Sequence, residues 1–309
     1  MRLRNQRYFN KPDIHERMLA DHVRVDAYHD AIEKHVGAND AVVDLGTGTG
    51  ILAFFAAKKG ARQVYAIDHG DIIEVARFLA AENNIDNVSF HKLHSTKFSP
   101  PEKISVIIHE QMGSELFNEY MIQNICDLRD RILAPGGRIL PAKFELYLEP
   151  ITLKESYRTP FLWEMNIHGL NLSGLKGWIE NNAVFRSLSQ SSAQRRILPD
   201  EVEMMLCTPE PVFHFDLNTA ASATFACKWH QERIVGTSGR LDGFCLYFRT
   251  IFDDEISIRN GPNDTRTSWN CHLIRTEGLE LTAGETLIVD WDVPDICNVS
   301  TWSVKVGQR

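Results

Sequence analysis

No apolar run in this 309-residue chain approaches the ~20 consecutive residues that a membrane-crossing helix needs, so none is predicted. The opening residues, MRLRNQRYFNKPD, carry charge but no apolar stretch, and no signal peptide is expected there. Cysteine is sparse. Cys126, Cys207, Cys227, Cys245, Cys271 and Cys297 are scattered, with no CxxC pair, which argues against a disulfide framework and predicts free thiols in a reducing, cytoplasmic setting. Positive charge is also short: 33 Lys and Arg stand against 41 Asp and Glu, for a net charge of −8. That balance argues against nucleic-acid binding and suits a cationic small group as ligand. A metal centre is missing too. His15, His22 and His29 repeat every seven residues, but two helical turns separate neighbours by about 10 Å, whereas ligands to one ion need bonds of about 2 Å.

What is present is an ordinary globular composition, 43% hydrophobic and 24% charged, in a chain long enough for two domains. IHERMLADHVRVDAYHDAIEKHVG has helical spacing, with Asp13 placed to cap its start and Gly37 its end. From residue 41 strand and helix patterns alternate: AVVDLG, GILAFFAAKKG, QVYAID, DIIEVARFLAAENN, VSFHKL, ISVIIHE, EYMIQNICDLRDRIL, then APGGRILP as a turn into another strand. Short, continuously apolar strands between helices predict a parallel sheet covered on both faces, a Rossmann-like α/β domain. After Pro141 the texture changes. KFELYLEPI, EPVFHFDL, ATFACKWH, GFCLYFRTIF, CHLIRTEG and ETLIVDW read as strands without long helices between them, predicting an antiparallel sandwich or barrel. An interruption at about 154–185, rich in apolar and aromatic residues, reads as a docking arm. The expected division is a helical cover over 1–36, a cofactor domain over 37–141 and a β-barrel domain over 142–309.

VVDLGTGTGIL puts Gly46, Gly48 and Gly50 between the first strand and its helix. Glycines there let a ligand approach the backbone, and a helix N-terminus offers N–H groups to an anion. A dinucleotide fingerprint requires Gly or Ala at 51, where this chain has Ile. The Gly-x-Gly-x-Gly form fits S-adenosylmethionine (SAM) instead. Asp68, 20 residues after Gly48 at the end of the second strand, is placed to accept ribose hydroxyls.

The stretch HEQMGSELFNEY closes the fourth strand with Glu110 and carries Glu119 nine positions on. Ligands bind at the carboxyl ends of such strands, so both acids are expected in one cleft. Two carboxylates there suit a guanidinium, which is planar, permanently charged and rich in donors.

This loop resembles the Glu-x-Met-Gly-x-x-Leu-x-x-Glu element of the protein arginine methyltransferases, with Glu110, Met112, Gly113, Leu116 and Glu119 in register. The resemblance extends along almost the whole chain. Tyr8 and Phe9 with IHERML are similar to the family's N-terminal cover, and LAPGGRILP to its passage between domains. WEMNIHGLNLSGL is similar to its dimerisation arm, and RTSWNC to its Thr-His-Trp loop. The resemblance implies Glu110 and Glu119 as catalytic residues. It implies His15, Met18, Arg24 (paired with the SAM carboxylate), Ser95, Thr96 (at the adenine) and Met121 at the cofactor, beside Gly46, Gly48, Gly50 and Asp68. It implies Tyr8, Met112, Ser268 and Trp269 at the substrate, with Trp269 a wall for the guanidinium or else a core aromatic. There are departures: the cover is shorter and lacks its second tyrosine, Ser268 replaces the loop histidine although its acidic partner Asp21 remains, and Thr96 replaces a glutamate.

The implied activity is SAM-dependent methylation of an arginine guanidino nitrogen in a protein or peptide, by a homodimer. Two other readings stay open: a methyltransferase of free arginine or a small guanidino metabolite, and a non-catalytic SAM-binding interaction module.

Overall fold

The computed structural model describes residues 9–309 apart from 222 and 224, with backbone alone at 187 and 190–192. The N-terminal pattern does not make one continuous helix. It forms α1, Pro12–Leu19, and α2, His22–His35, broken at Ala20–Asp21. The start of α1 has no side-chain cap, so Asp13 is not the capping residue. Asp21 caps α2 instead, accepting the amide of Arg24 at 3.1 Å. Its other carboxylate oxygen accepts the Ser268 amide from the distant barrel. One short acidic side chain thus starts α2 and ties it to the C-terminal half.

Next come β1 (Ala41–Leu45), α3 (Ile51–Lys59), β2 (Gln63–Asp68), α4 (Ile73–Glu82), β3 (Val88–Lys92), β4 (Ile104–His109), α5 (Met121–Ile132) and β5 (Leu133–Leu140). The five strands are parallel in the order β3-β2-β1-β4-β5. Every residue of β1 is buried, as expected for a central strand covered on both faces. Strand order reverses between β1 and β4, so the crevice at their carboxyl ends is where this architecture receives ligands.

The antiparallel part opens with β6 (Lys143–Leu153). An arm follows, containing β7 (Asn166–Ile167), β8 (Leu170–Asn171), α6 (Leu175–Glu180) and α7 (Ala183–Ser192). The chain then returns through β9 (Gln194–Ile197), β10 (Val202–Met205), β11 (Pro211–Asp216), β12 (Cys227–Ile234), β13 (Gly239–Ile251), β14 (Ser257–Arg259), β15 (Cys271–Leu281), β16 (Thr286–Val293) and β17 (Ser303–Gln308). These strands form a seven-stranded sheet centred on β6, β13 and β15, and a three-stranded sheet β12-β16-β17. The two close in a barrel-like arrangement over a shared core, where Phe244 meets Trp291 edge-on at 5.0 Å. The apolar cluster is continuous from Val42 and Ile107 of the parallel sheet to Trp291 of the small sheet.

One ion pair joins the two antiparallel sheets through that interior. Glu149 of β6 is fully buried and accepts Arg233 of β12 at 2.9 Å and the Glu210 amide at 2.8 Å. Burial pushes the Glu149 carboxyl up, and Arg233 pulls it back down. Removing one partner of such a pair strands a charge away from water, at a cost of about 3–5 kcal/mol. Arg233→Ala is therefore expected to lose about that much in urea-induced unfolding, and pairing Arg233→Met with Glu149→Leu to recover most of it.

Candidate active site

The site is assembled from strand ends. The loop after β1 turns back sharply: the amides of Gly46 and Thr47 donate to the Ile67 carbonyl at 2.8 and 3.0 Å. Gly48 sits at φ +53°, and a Cβ there would lie 3.0 Å from the His15 ring, so only glycine suits both the backbone and the packing. Asp44 holds the turn from below, accepting the Thr47 hydroxyl at 2.6 Å and the Ala53 amide at 3.1 Å. Burial pushes its carboxyl up to about 7, against those two hydrogen bonds. Asp68 accepts the Gly48 amide at 3.0 Å and the Gly70 amide at 2.7 Å, one on each carboxylate oxygen. The free N–H groups expected at this helix start are thus partly claimed by protein carboxylates. That leaves little for a pyrophosphate, while each Asp68 oxygen keeps a lone pair for a hydroxyl.

Glu110 follows β4 directly. Its position depends on Tyr28, whose hydroxyl donates to the His109 carbonyl at 2.8 Å, and on the His109 ring, 2.8 Å from the Pro141 carbonyl. The loop from Glu110 to Glu119 is tightly folded. Leu116 and Tyr120 both lie at φ +63°, a conformation that costs a non-glycine residue about 1–2 kcal/mol. Full burial of Leu116 offsets that cost. At Gly113 a Cβ would fall 2.0 Å from the Asn118 side chain. The Trp269 indole N–H donates to the Met112 carbonyl at 2.8 Å, tying the loop to the barrel.

One cavity of about 330 Å³ gathers these parts. Glu110 and Glu119 lie on its wall with Gly46, Gly48, Asp68, His15, Met18 and Ser95. Removal from water pushes Glu119 up to about 8, and the neighbouring Glu110 charge adds to the effect. Glu110 is also raised by burial, but Arg24, at 3.6 Å, favours its ionised form. The accessibility both acids retain is to the cavity.

Other expected site residues lie behind this wall. Arg24 is not on the lining; its guanidinium contacts Glu110, the Ser268 hydroxyl at 3.2 Å and the Met18 carbonyl at 3.1 Å. Ser268 and Asp21 meet through backbone and Arg24, so the hydroxyl does not stand in for an imidazole facing the acid. Trp269 is buried, edge-on to Phe248 and 5.5 Å from the Arg24 guanidinium; its ring forms no wall of the cavity. Met112 and Met121 belong to the apolar core, and Gly50 begins α3 away from the lining. Thr96 is exposed on a short turn, 3.0 Å from His94 Nδ1, while His94 itself lines the cavity. Tyr8 lies outside the described residues.

Phe9, expected in the N-terminal cover, lines the cavity; the sequence reading missed His69, His94, Gln111, Tyr120 and Asn124. A signal existed for some. Gln111 and Tyr120 adjoin the two glutamates in the chain, and Asn124 lies one helical turn beyond Tyr120, on the same face. Among the described residues no cluster of three or more His, Cys, Asp or Glu could hold a metal ion.

Residues 21–138 match the family described as ribosomal protein L11 methyltransferase (PrmA). The ribosomal protein arginine N-methyltransferase rmt3 of Schizosaccharomyces pombe is 32% identical over 273 residues, covering 83% of this chain and 48% of that protein. The probable protein arginine N-methyltransferase 6.1 of Oryza sativa subsp. japonica is 38% identical over 259 residues, covering 81% of this chain and 61% of that protein. The chain thus spans about half to three fifths of the length of these relatives. Among solved structures, the Trypanosoma brucei PRMT1 enzyme–prozyme heterotetramer with AdoHcy matches with TM-score 0.79 at 24% identity, over 97% of this chain and 94% of that one. Arabidopsis thaliana protein arginine methyltransferase 10 matches with TM-score 0.77 at 24% identity, over 97% and 93% of the two chains. Over most of its length this chain is thus similar in sequence to protein arginine N-methyltransferases, and it shares the fold of the two solved structures.

Proposed function

We propose that the chain is a SAM-dependent N-methyltransferase acting on a guanidino nitrogen of arginine in a protein or peptide. The observation that carries this reading is the placement of two partly buried carboxylates, Glu110 and Glu119, on the wall of the cavity that also holds the glycine loop and Asp68. The residues fit a nucleoside cofactor. Gly46 and Gly48 leave the backbone approachable, Asp68 keeps acceptor capacity, and the cavity falls in the range of small-ligand sites. The names of both relatives state arginine methylation, and two neighbouring structures carry AdoHcy (SAH); both support the reading.

When bound, SAM supplies an electrophilic methyl group. Glu110 and Glu119 hold the guanidinium through charge-assisted hydrogen bonds and fix one terminal nitrogen in line for displacement. Their negative charge also concentrates electron density on that nitrogen, which delocalisation otherwise leaves weakly nucleophilic. The two acids differ in environment. Arg24 favours an ionised Glu110, whereas Glu119 has an affinity for protons matched to neutral pH. Glu119 is therefore assigned as the group that takes the surplus proton, because acids with separated pKa values divide such roles.

Glu119→Gln or Glu110→Gln is expected to lower kcat by about a hundredfold or more while SAM affinity stays unchanged. Asp68→Ala should do the reverse in calorimetry, weakening SAM by about tenfold through lost hydrogen bonds. Wild-type turnover in both glutamine variants would remove the clamp assignment.

A pH dependence follows from Glu119. The guanidinium binds the ionised carboxyl, and in the free protein that form becomes dominant only above about 8. Acceptor binding at pH 7 therefore releases a proton, and KM for the acceptor is expected to fall by about fivefold between pH 7 and 8 and by about tenfold in all, levelling off above about pH 9. Calorimetry in buffers of different ionisation enthalpy measures the released proton directly.

The same proposal includes a homodimer. The arm exposes Leu170 at 69% and Trp178 at 53%, and α4 of the parallel domain exposes Phe78 at 64%. Apolar groups of this size on two separate faces support their mutual burial between copies. Light scattering is expected to give twice 35.2 kDa, and Leu170→Glu with Trp178→Glu to give the single-chain mass. The six cysteines are free thiols, which supports a cytoplasmic setting.

A further inference from the structure

Arg196 and His272 are register partners on β9 and β15, so their side chains leave the sheet on the same face. That face meets the loop carrying the two glutamates. His272 Nδ1 lies 3.4 Å from Oε1 of Glu115, the carboxylate between Glu110 and Glu119. The His272 side chain is only 9% exposed, and among the described residues neither ring nitrogen has a hydrogen-bond partner. The charge of Arg196 reaches the loop: it favours the ionised forms of Glu115 and Glu119 and disfavours a proton on His272.

Arg196 itself is exposed and, among the described residues, makes no ion pair. Its neighbour Arg195 is held by Glu201 at 2.6 Å. Arg24 is engaged by Glu110, Ser268 and Met18. Of these two cations that act on the clamp acids, one is therefore committed and one is open. Before a substrate arrives, Arg196 partly offsets the charge of Glu115 and Glu119. Once a guanidinium fills the clamp, the acids are satisfied and Arg196 faces a like charge. That repulsion lowers affinity for acceptors carrying further positive charge nearby, and it is relieved when the acceptor brings an anion of its own.

We propose that Arg196 is a specificity-determining residue that binds a carboxylate carried by the substrate close to the target guanidine. This rests on the guanidino-methyltransferase reading. A planar guanidinium and a carboxylate pair in bidentate fashion, which suits an exposed arginine on the sheet face that meets the acid loop. The carboxylate has two sources, the α-carboxylate of free arginine or an Asp or Glu side chain beside the arginine in a peptide.

The test uses two matched pairs of acceptors. One pair is L-arginine and agmatine, which lacks the carboxylate. The other is a terminally blocked peptide with a single Arg flanked by Asp, and its Ala-flanked counterpart. Each is measured for methyl transfer and, by calorimetry, for binding to the protein loaded with S-adenosylhomocysteine. In at least one pair the acid-bearing member is expected to be favoured by about tenfold or more, the scale of one charge-assisted hydrogen bond. Arg196→Gln should bring that ratio to within about twofold and Arg196→Glu should invert it, with S-adenosylhomocysteine affinity unchanged in both. Preference within the first pair alone identifies the α-carboxylate, and within the second alone the flanking side chain. Equal affinity within both pairs in the wild type, or a preference that survives Arg196→Gln, overturns the proposal. Carboxylate-dependent binding without transfer to any acceptor would overturn the reaction reading and leave the role of Arg196 standing. Failure of all four acceptors to bind at millimolar concentration overturns both.

Discussion

Two carboxyls held close together and partly out of water resist being charged at once, and the site depends on keeping Glu110 and Glu119 in that condition. Left to relax, a loop would turn one carboxylate out to solvent. Here it cannot. Tyr28 and His109 fix the end of β4, Gly113 permits the tight turn, and Trp269 pins the Met112 carbonyl. The positive φ of Leu116 and Tyr120 shows the same constraint from within the loop. Strain of this kind persists only where the surroundings over-determine it.

The supports come from both halves of the chain. Asp21 and Arg24 of α2 reach the barrel loop at Ser268, and Trp269 reaches back to the acid loop. Glu149 and Arg233 lock the two antiparallel sheets to each other. The antiparallel domain is therefore more than a second wall: it sets the position of side chains whose backbone belongs to the parallel sheet. Arg24 illustrates the economy of the arrangement. One guanidinium biases Glu110 toward its charged form, satisfies the Met18 carbonyl and holds the Ser268 hydroxyl. The two acids then differ in proton affinity although they share one cavity.

Much of this was legible in the chain alone. Continuous apolar strands alternating with helices determine a parallel sheet, because a strand buried on both faces has no polar side to show. Glycines before a helix and acids at strand ends mark the ligand crevice, because strand ends in such sheets meet there. The spacing of Glu110, Met112, Gly113, Leu116 and Glu119 determines a loop with two carboxylates near one another. The break at Asp21 was not legible, since helical periodicity continues through it and only the Ser268 amide makes the interruption worthwhile.

What tertiary structure decided is which of the expected residues face the cavity. Periodicity cannot tell a tryptophan wall from a tryptophan strut; the Met112 carbonyl and the Arg24 guanidinium make Trp269 a strut. It cannot separate Ser95 and His94 from Thr96, neighbours on one short turn that point differently. Nor can it bring Arg196 to Glu119 across 77 residues of chain, because only the pairing of β9 with β15 puts that arginine and His272 on the face beside the acid loop. Local pattern determined the elements and the chemistry they carry. The orientation of each side chain was left to contacts between residues far apart in sequence, where packing rather than propensity decides.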